Sequence, residues 1–279
     1  PFFPKERLII LGGGHVALPV AEFGARVGFL VTVVDDRLSF ANPGRFPMAE
    51  KVICDDFGHA IKELKIQESD YICIVTRGHR HDADCLRMIG KGKEPAYLGM
   101  IGSRRRVGIV KQELLEEGYD PERMSRLKSP IGLKIGGVTP EEIAISILAE
   151  IIQVKRMDRE DKRVKNRSDL DFDVLKRLAE EPDEPKAVVT VIESKGSSPR
   201  GAGAKMIVYR DGRILGSIGG GCSEAAVLGE ARSLIGSGRY KVVHVDLTGE
   251  AAEDEGMVCG GIMDVLVEDF ATDREPCDR

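Results

Sequence analysis

Tryptophan is absent from this chain of 279 residues, and aromatic residues make up only 5% of it. Few rings are available to stack on bases. The net charge is −5 and the pI about 5.7, so no basic field draws nucleic acid. No apolar run approaches the ~20 residues of a membrane span. No signal-peptide pattern is visible, and the chain begins at Pro1 without Met. The six cysteines are scattered and contain no C-x-x-C. That pattern excludes a disulfide framework and a closed structural zinc site, and it reads as reduced thiols in a cytoplasmic protein. There is also no nucleophile elbow, paired-carboxylate signature, Walker lysine or EF-hand, so no hydrolase or kinase is indicated.

What the chain does have is an ordinary globular composition, 42% hydrophobic and 31% charged, and length for about two domains. Its organising stretch is Leu8-Ile9-Ile10-Leu11-Gly12-Gly13-Gly14-His15-Val16-Ala17. An apolar run ends in a glycine turn and opens a helix. Gly12, Gly14 and Ala17 fit the G-x-G-x-x-G/A spacing, which permits a tight turn, close approach of a phosphate and close helix packing. The helix start offers free amides and a positive dipole end. Val31–Val34 then leads to Asp35-Asp36, where a ribose-binding acid is expected. His15 beside the turn fits capping, packing or ligand contact equally well.

Strand and helix patterns alternate onward. Lys51–Cys54, Tyr71–Thr76 and Ala96–Met100 read as strands. Phe57–Leu64, a stretch N-capped by Asp82, and a run from Arg104 to Glu117 stopped by Gly118 read as helices. Thr139-Pro140-Glu141-Glu142 is a capping box for another, ending near Arg156. The economical topology is a Rossmann-type, doubly wound parallel sheet over residues 1–156. Its strand-to-helix loops share one edge, so Gly12–His15, Arg77–Asp82 and Gly102–Arg106 should converge there on an anionic ligand. Candidates in these loops are Gly12, Gly14, His15, Asp35, Arg77, His79, Arg80, His81, Ser103, Arg104 and Arg105. His79-Arg80-His81 fits either a metal or a phosphate. Arginines at a helix start oppose the dipole unless an anion sits nearby.

Residues 157–170 are dominated by charge and read as a solvated linker. A smaller α/β domain with a mixed sheet is expected over 171–272, followed by a polar tail, 273–279. Asp211-Gly212 marks a hairpin turn. Ser198 and Arg200 lie in a small-residue loop that fits a second phosphate site or a plain turn. Cys222 follows Gly219-Gly220-Gly221 and precedes a helix, a position that favours thiolate. It suits a soft metal or sulfur contact, or a buried turn residue. Cys259, before Gly260-Gly261, has the same features more weakly. Cys54, Cys73 and Cys85 fall in apolar patterns and read as core. Cys277 falls in the tail.

Together these stretches resemble the XdhC/CoxI family, accessory factors of molybdenum hydroxylases such as xanthine dehydrogenase. The resemblance lies in Gly12–Ala17, Thr76–Asp82, Gly99–Arg105, Pro130–Leu133 and Thr139–Ala144 of the first domain. In the second it lies in Gly196–Arg200, Gly216–Cys222 and Cys259–Gly261. The cysteine-bearing module usually comes first. The reversed order here resembles a subgroup tied to selenium-dependent hydroxylases. The resemblance implies a maturation factor rather than a metabolic catalyst. Such a factor binds the molybdenum cofactor (molybdopterin), supports its sulfuration or selenation, and inserts it into a hydroxylase apoenzyme with help from a cysteine desulfurase. Cofactor contact would fall to the loop residues above with Gly220, Gly221, Cys222 and Cys259, and molybdenum or sulfur contact to Cys222. A homodimer is the expected assembly. The rivals are an NAD(P)-dependent oxidoreductase, which explains Gly12–Asp35 but not the glycine–cysteine loops, and a redox sensor using Cys222 and Cys259.

Overall fold

The computed structural model describes residues 6–157, 171–196, 198, 200–246 and 261–270. Two compact units divide the chain, Pro4–Lys165 and a second within Asn166–Arg279. Most of the expected linker, the tail, Cys259 and Cys277 lie outside the described residues.

The first unit runs β1 (Arg7–Leu11), α1 (Ala17–Arg26), β2 (Leu30–Asp35), β3 (Lys51–Cys54), α2 (Phe57–Leu64), β4 (Tyr71–Ile74), α3 (His79–Gly90), β5 (Tyr97–Met100), α4 (Arg104–Glu116), α5 (Pro121–Arg126) and α6 (Pro140–Met157). The strands pair in parallel in the order β3-β2-β1-β4-β5. Helices cover both faces of the sheet, so the central strand β1 is apolar and buried from Leu8 to Leu11, after Arg7 at its start. Leu8 and Ile10 pack with Ala17 and Val20 of α1 and with Ile147 and Ile151 of α6. Ile9 and Leu11 pack on the other face with α2, α3 and α4 through Ile61, Leu86 and Val107. Strand order reverses between β1 and β4, which makes that junction the ligand-binding crevice of such sheets. The Rossmann-type reading of the sequence is what the structure has.

Side chains cap most helix starts in this unit. Asp56 accepts from the Gly58 and His59 amides at 2.9 and 3.1 Å, Ser103 caps α4, and Asp120 caps α5. At the Thr139 box, the Glu142 carboxylate accepts from the amides of Val138 and Thr139. Helices α1 and α3 begin at Val16 and Gly78 with no side-chain cap. Both lie at the β1–β4 junction, where their first amides are left for other partners.

The second unit runs α7 (Phe172–Glu180), β6 (Lys186–Gly196), β7 (Lys205–Tyr209), β8 (Ile214–Gly216), α8 (Gly221–Leu234), β9 (Tyr240–Asp246) and β10 (Gly261–Phe270). Its strand order is β8-β7-β6-β10-β9, and every pair is antiparallel. The expectation of a mixed sheet is corrected accordingly. The helical crossover α8 joins the two edge strands instead of neighbours, so it creates no parallel pair. Residue alternation gives the sheet two apolar faces. Met206 and Val208 pack with Val227 and Ala231 of α8, while Ile207 and Tyr209 pack with Val174 of α7.

Candidate functional site

The glycine turn after β1 is built by exclusion. Gly12 has φ +111°, and a Cβ there would stand 2.5 Å from the Val75 carbonyl oxygen and 3.0 Å from the Thr76 Cα. Only glycine fits that conformation and that gap. The turn therefore lies directly against the loop after β4. Gly14 differs, because a Cβ there meets nothing within 4 Å. Its surface is open for a ligand.

Asp35 stands at the end of β2, as expected, but faces inward and is 2% exposed. Its Oδ2 accepts from the Gly13 amide at 2.8 Å and from Arg37 Nη2 at 3.0 Å. Its Oδ1 accepts from Arg37 Nε at 2.8 Å and from the Arg37 amide at 3.1 Å. A carboxylate has about four acceptor sites, and all are in use. Burial alone would raise the carboxyl pKa. The bonds from Arg37 and the Gly13 amide outweigh it and hold the group below its ordinary value. In this arrangement Asp35 braces the glycine turn and has no lone pair left for a ribose hydroxyl.

The loop from Asp36 to Glu50 contributes residues that sequence reasoning missed. Arg37 stacks on Phe40 at 3.7 Å from the ring centre, and Arg45 lies 5.5 Å from the same ring. Arg45 also donates to the carbonyls of Gly13 and Gly14 at 3.2 and 3.4 Å. The available signal was an arginine two residues past the strand-end acid. The neighbouring Asp36 pairs with Arg77 through two bonds of 2.6 and 2.8 Å, tying this loop to the loop after β4.

Helix α3 starts at His79, so the expected Asp82 cap is corrected. Asp82 sits in the first turn with 0% exposure. Its carboxylate accepts from the Thr76 hydroxyl at 2.5 Å and pairs with Arg106 of α4. Burial raises the Asp82 carboxyl, and the Thr76 and Arg106 contacts only partly offset this. Gly12, Thr76, Asp82 and Arg106 thus link the loops after β1, β4 and β5 in one chain of contacts. His81 packs its ring on Phe57 at 5.6 Å, and His15, Arg80, Arg104 and Arg105 are exposed. Ser103 Oγ is occupied by the Arg106 amide at 3.3 Å.

The other candidates belong to the second unit. Gly219, Gly220 and Gly221 take φ values of +140°, +71° and +50° in succession, and α8 begins at Gly221. Cys222 is therefore in the first turn of that helix. Glu224 closes the turn from below: its Oε1 accepts from the Ser217 hydroxyl at 2.7 Å and the Gly220 amide at 3.0 Å. Glu224 was not singled out from the sequence, although a carboxylate in a first helical turn is a usable signal. Ser198 is engaged in a local turn, its amide donating to Gly196 and its hydroxyl to the Arg200 carbonyl at 2.9 and 2.8 Å. Cys73 and Cys85 are buried, which pushes both thiols well above the usual range. Cys54, expected in the core, is exposed because β3 is the edge strand. Among the described residues no group of three or more His, Cys, Asp or Glu is placed to hold a metal ion. Among them, too, no helix is long and apolar enough to cross a membrane.

Residues 8–151 match the model of the XdhC Rossmann domain, and residues 179–246 match that of the XdhC and CoxI family. A protein of Escherichia coli called uncharacterized protein YqeB is 37% identical over 152 residues, covering 54% of this chain and 28% of that protein. A probable xanthine dehydrogenase subunit of Bacillus subtilis is 34% identical over 153 residues, covering 55% and 44%. The molybdenum cofactor insertion chaperone PaoD of Escherichia coli is 40% identical over 74 residues, covering 26% and 23%. The matches span less than half the length of each of these relatives. A crystal structure titled as a xanthine dehydrogenase from Bacillus halodurans is 35% identical, covers 59% of this chain and 46% of that one, and has a TM-score of 0.49.

Proposed function

Because this chain belongs to the XdhC and CoxI family, matched in both of its units, we propose that it is an accessory factor that carries the molybdenum cofactor as cargo. It supports sulfuration or selenation of that cargo, with a cysteine desulfurase as partner, and delivers it to a molybdenum hydroxylase apoenzyme. The similarity to a molybdenum cofactor insertion chaperone supports this reading.

The observation that carries it is the state of Asp35. A nicotinamide dinucleotide needs an acceptor for its ribose hydroxyls at the end of β2. There the carboxylate is buried and spent on Gly13 and Arg37. The anion-binding half of the Rossmann design persists without the ribose-binding half. Gly14 leaves room for a phosphate, the first amides of α1 have no side-chain cap, and Arg104 and Arg105 are exposed. A pterin phosphate fits such a place. In the second unit, taken by itself, Cys222 stands at the start of α8, a position that favours the thiolate suited to a soft sulfur or metal group.

The test is equilibrium binding of molybdenum cofactor released from a donor hydroxylase, with client activation measured beside it. Wild-type protein should retain the cofactor, and Cys222→Ala should weaken retention while the melting curve is unchanged. Unchanged retention and activation in Cys222→Ala would remove that residue's role. Tight NAD(P)H binding with turnover would replace the proposal with an oxidoreductase.

A further inference from the structure

We propose that Arg106 is the cation that receives the ligand's anionic group at this sheet edge, and that the ligand class is a phosphate-type oxyanion. The inference deepens the proposed function and rests on that reading only for the identity of the whole cargo.

Three observations converge on Arg106. First, its Nη2 is fixed on the fully buried carboxylate of Asp82, which is itself held by Thr76. A guanidinium pinned in this way is set in place before any ligand arrives. Second, its Nε is buried with no hydrogen-bond partner, although the side chain as a whole keeps 29% exposure. A buried donor without an acceptor is costly, and such groups call for a partner. Third, the residue closes a run of three arginines at the positive end of α4, whose first turn holds no acidic residue. Arg104 and Arg105 have no ion pair among the described residues, so the charge there is opposed by the dipole and offset only by Asp82.

Position selects the ligand. Thr76 contacts Asp82 through its side chain, and its backbone lies where a Cβ on Gly12 would reach. Arg106 is therefore linked through Asp82 and Thr76 to the loop that packs on the Gly12 turn, at the carboxyl edge of the sheet. Three arginines nearer the glycine turn are spent: Arg37 on Asp35, Arg77 on Asp36, and Arg45 on the carbonyls of Gly13 and Gly14, while Arg104 and Arg105 are exposed and not held in place by any ion pair among the described residues. A forked donor held in place on this edge, with a donor position still unpartnered, matches a tetrahedral oxyanion.

The experiment is calorimetric titration of the full chain with inorganic phosphate. Wild type should bind, and Arg106→Met should bind at least about tenfold more weakly. Arg106→Met leaves Asp82 buried without its counter-charge and could unfold. The double variant Asp82→Asn with Arg106→Met removes both charges and should fold by circular dichroism, yet show the same loss. Arg26→Met, an exposed change at the far end of α1, removes equal charge and should keep wild-type affinity. No heat of binding by wild type up to about 10 mM phosphate would overturn the proposal. So would wild-type affinity in the folded double variant, or an equal loss in Arg26→Met. Molybdenum cofactor retained in full by the double variant would remove this inference and leave the proposed function standing. Phosphate binding lost with Arg106, in a chain that takes up no molybdenum cofactor, would do the reverse.

Discussion

Replacing Asp35 with Asn tests the bracing of the glycine turn. The change keeps the side chain's shape, removes its charge and turns one acceptor oxygen into a donor. That donor must face either the Gly13 amide or Arg37, both of which now donate to the carboxylate. The Gly13 bond is buried, and losing a charge-assisted bond there costs about 1.5–3 kcal/mol. Arg37 is one-third exposed, so its share is discounted by solvent to about 0.5–1 kcal/mol. The sum is about 2–4 kcal/mol, or about 5–15 °C in the melting temperature of a unit this size. The sign with pH follows from the lowered carboxyl value. Stability from the ionised group is fully present above the unfolded carboxylate value, near 3.8, and is lost as pH falls through the lower native one. Scanning calorimetry of wild type and variant at pH 7 and about pH 3 should show a gap that narrows in acid. A gap below about 1 kcal/mol at pH 7, or one that does not narrow, would refute the bracing role.

Two glycines two positions apart should behave oppositely. Gly12→Ala forces a side chain onto the Val75 carbonyl at positive φ and should cost at least about 2 kcal/mol by urea denaturation. Gly14→Ala meets no neighbour and should change stability by less than about 0.5 kcal/mol, yet weaken phosphate binding in the titration described above. In the first turn of α2, the exposed His59 pairs with Asp55 at 2.5 Å, which raises its pKa. NMR titration should find the His59 midpoint above 6.5, with Asp55→Asn returning it to about that value, so the pair's contribution is present at low pH and fades as pH rises through the raised midpoint. Glu224→Ala removes the acceptor of Ser217 and Gly220 and should cost about 1–2 kcal/mol, measured by thermal melting.

The alternation of apolar runs and amphipathic stretches made the first unit legible, because strands buried on both faces and capped helices leave strong local patterns. The glycine turn was legible from its spacing after an apolar run, although the Val75 carbonyl that excludes a side chain at Gly12 lies one loop away and leaves no local mark. The role of Asp35 was not. Its position at the strand end is readable, but whether its oxygens face a ribose or the protein depends on Arg37 folding back two residues later. Asp82 has the composition of a cap, yet Thr76, six residues before it, and Arg106, 24 residues after it, draw it inward. His81 reads as a ligand by its loop, and its packing on Phe57 of α2 is a contact that the loop pattern does not record. The antiparallel order of the second sheet was hidden because it depends on which strands α8 connects, which no local pattern records.

The central claim is that the Rossmann crevice serves a molybdenum-cofactor cargo and not a nicotinamide dinucleotide. The most direct measurement is mass spectrometry of small molecules released from the protein purified natively from its source. Molybdopterin, without stoichiometric NAD or NADP, is the predicted result. Stoichiometric NAD(P) with no pterin would contradict it, and would mean that Asp35 gives up Arg37 to accept a ribose.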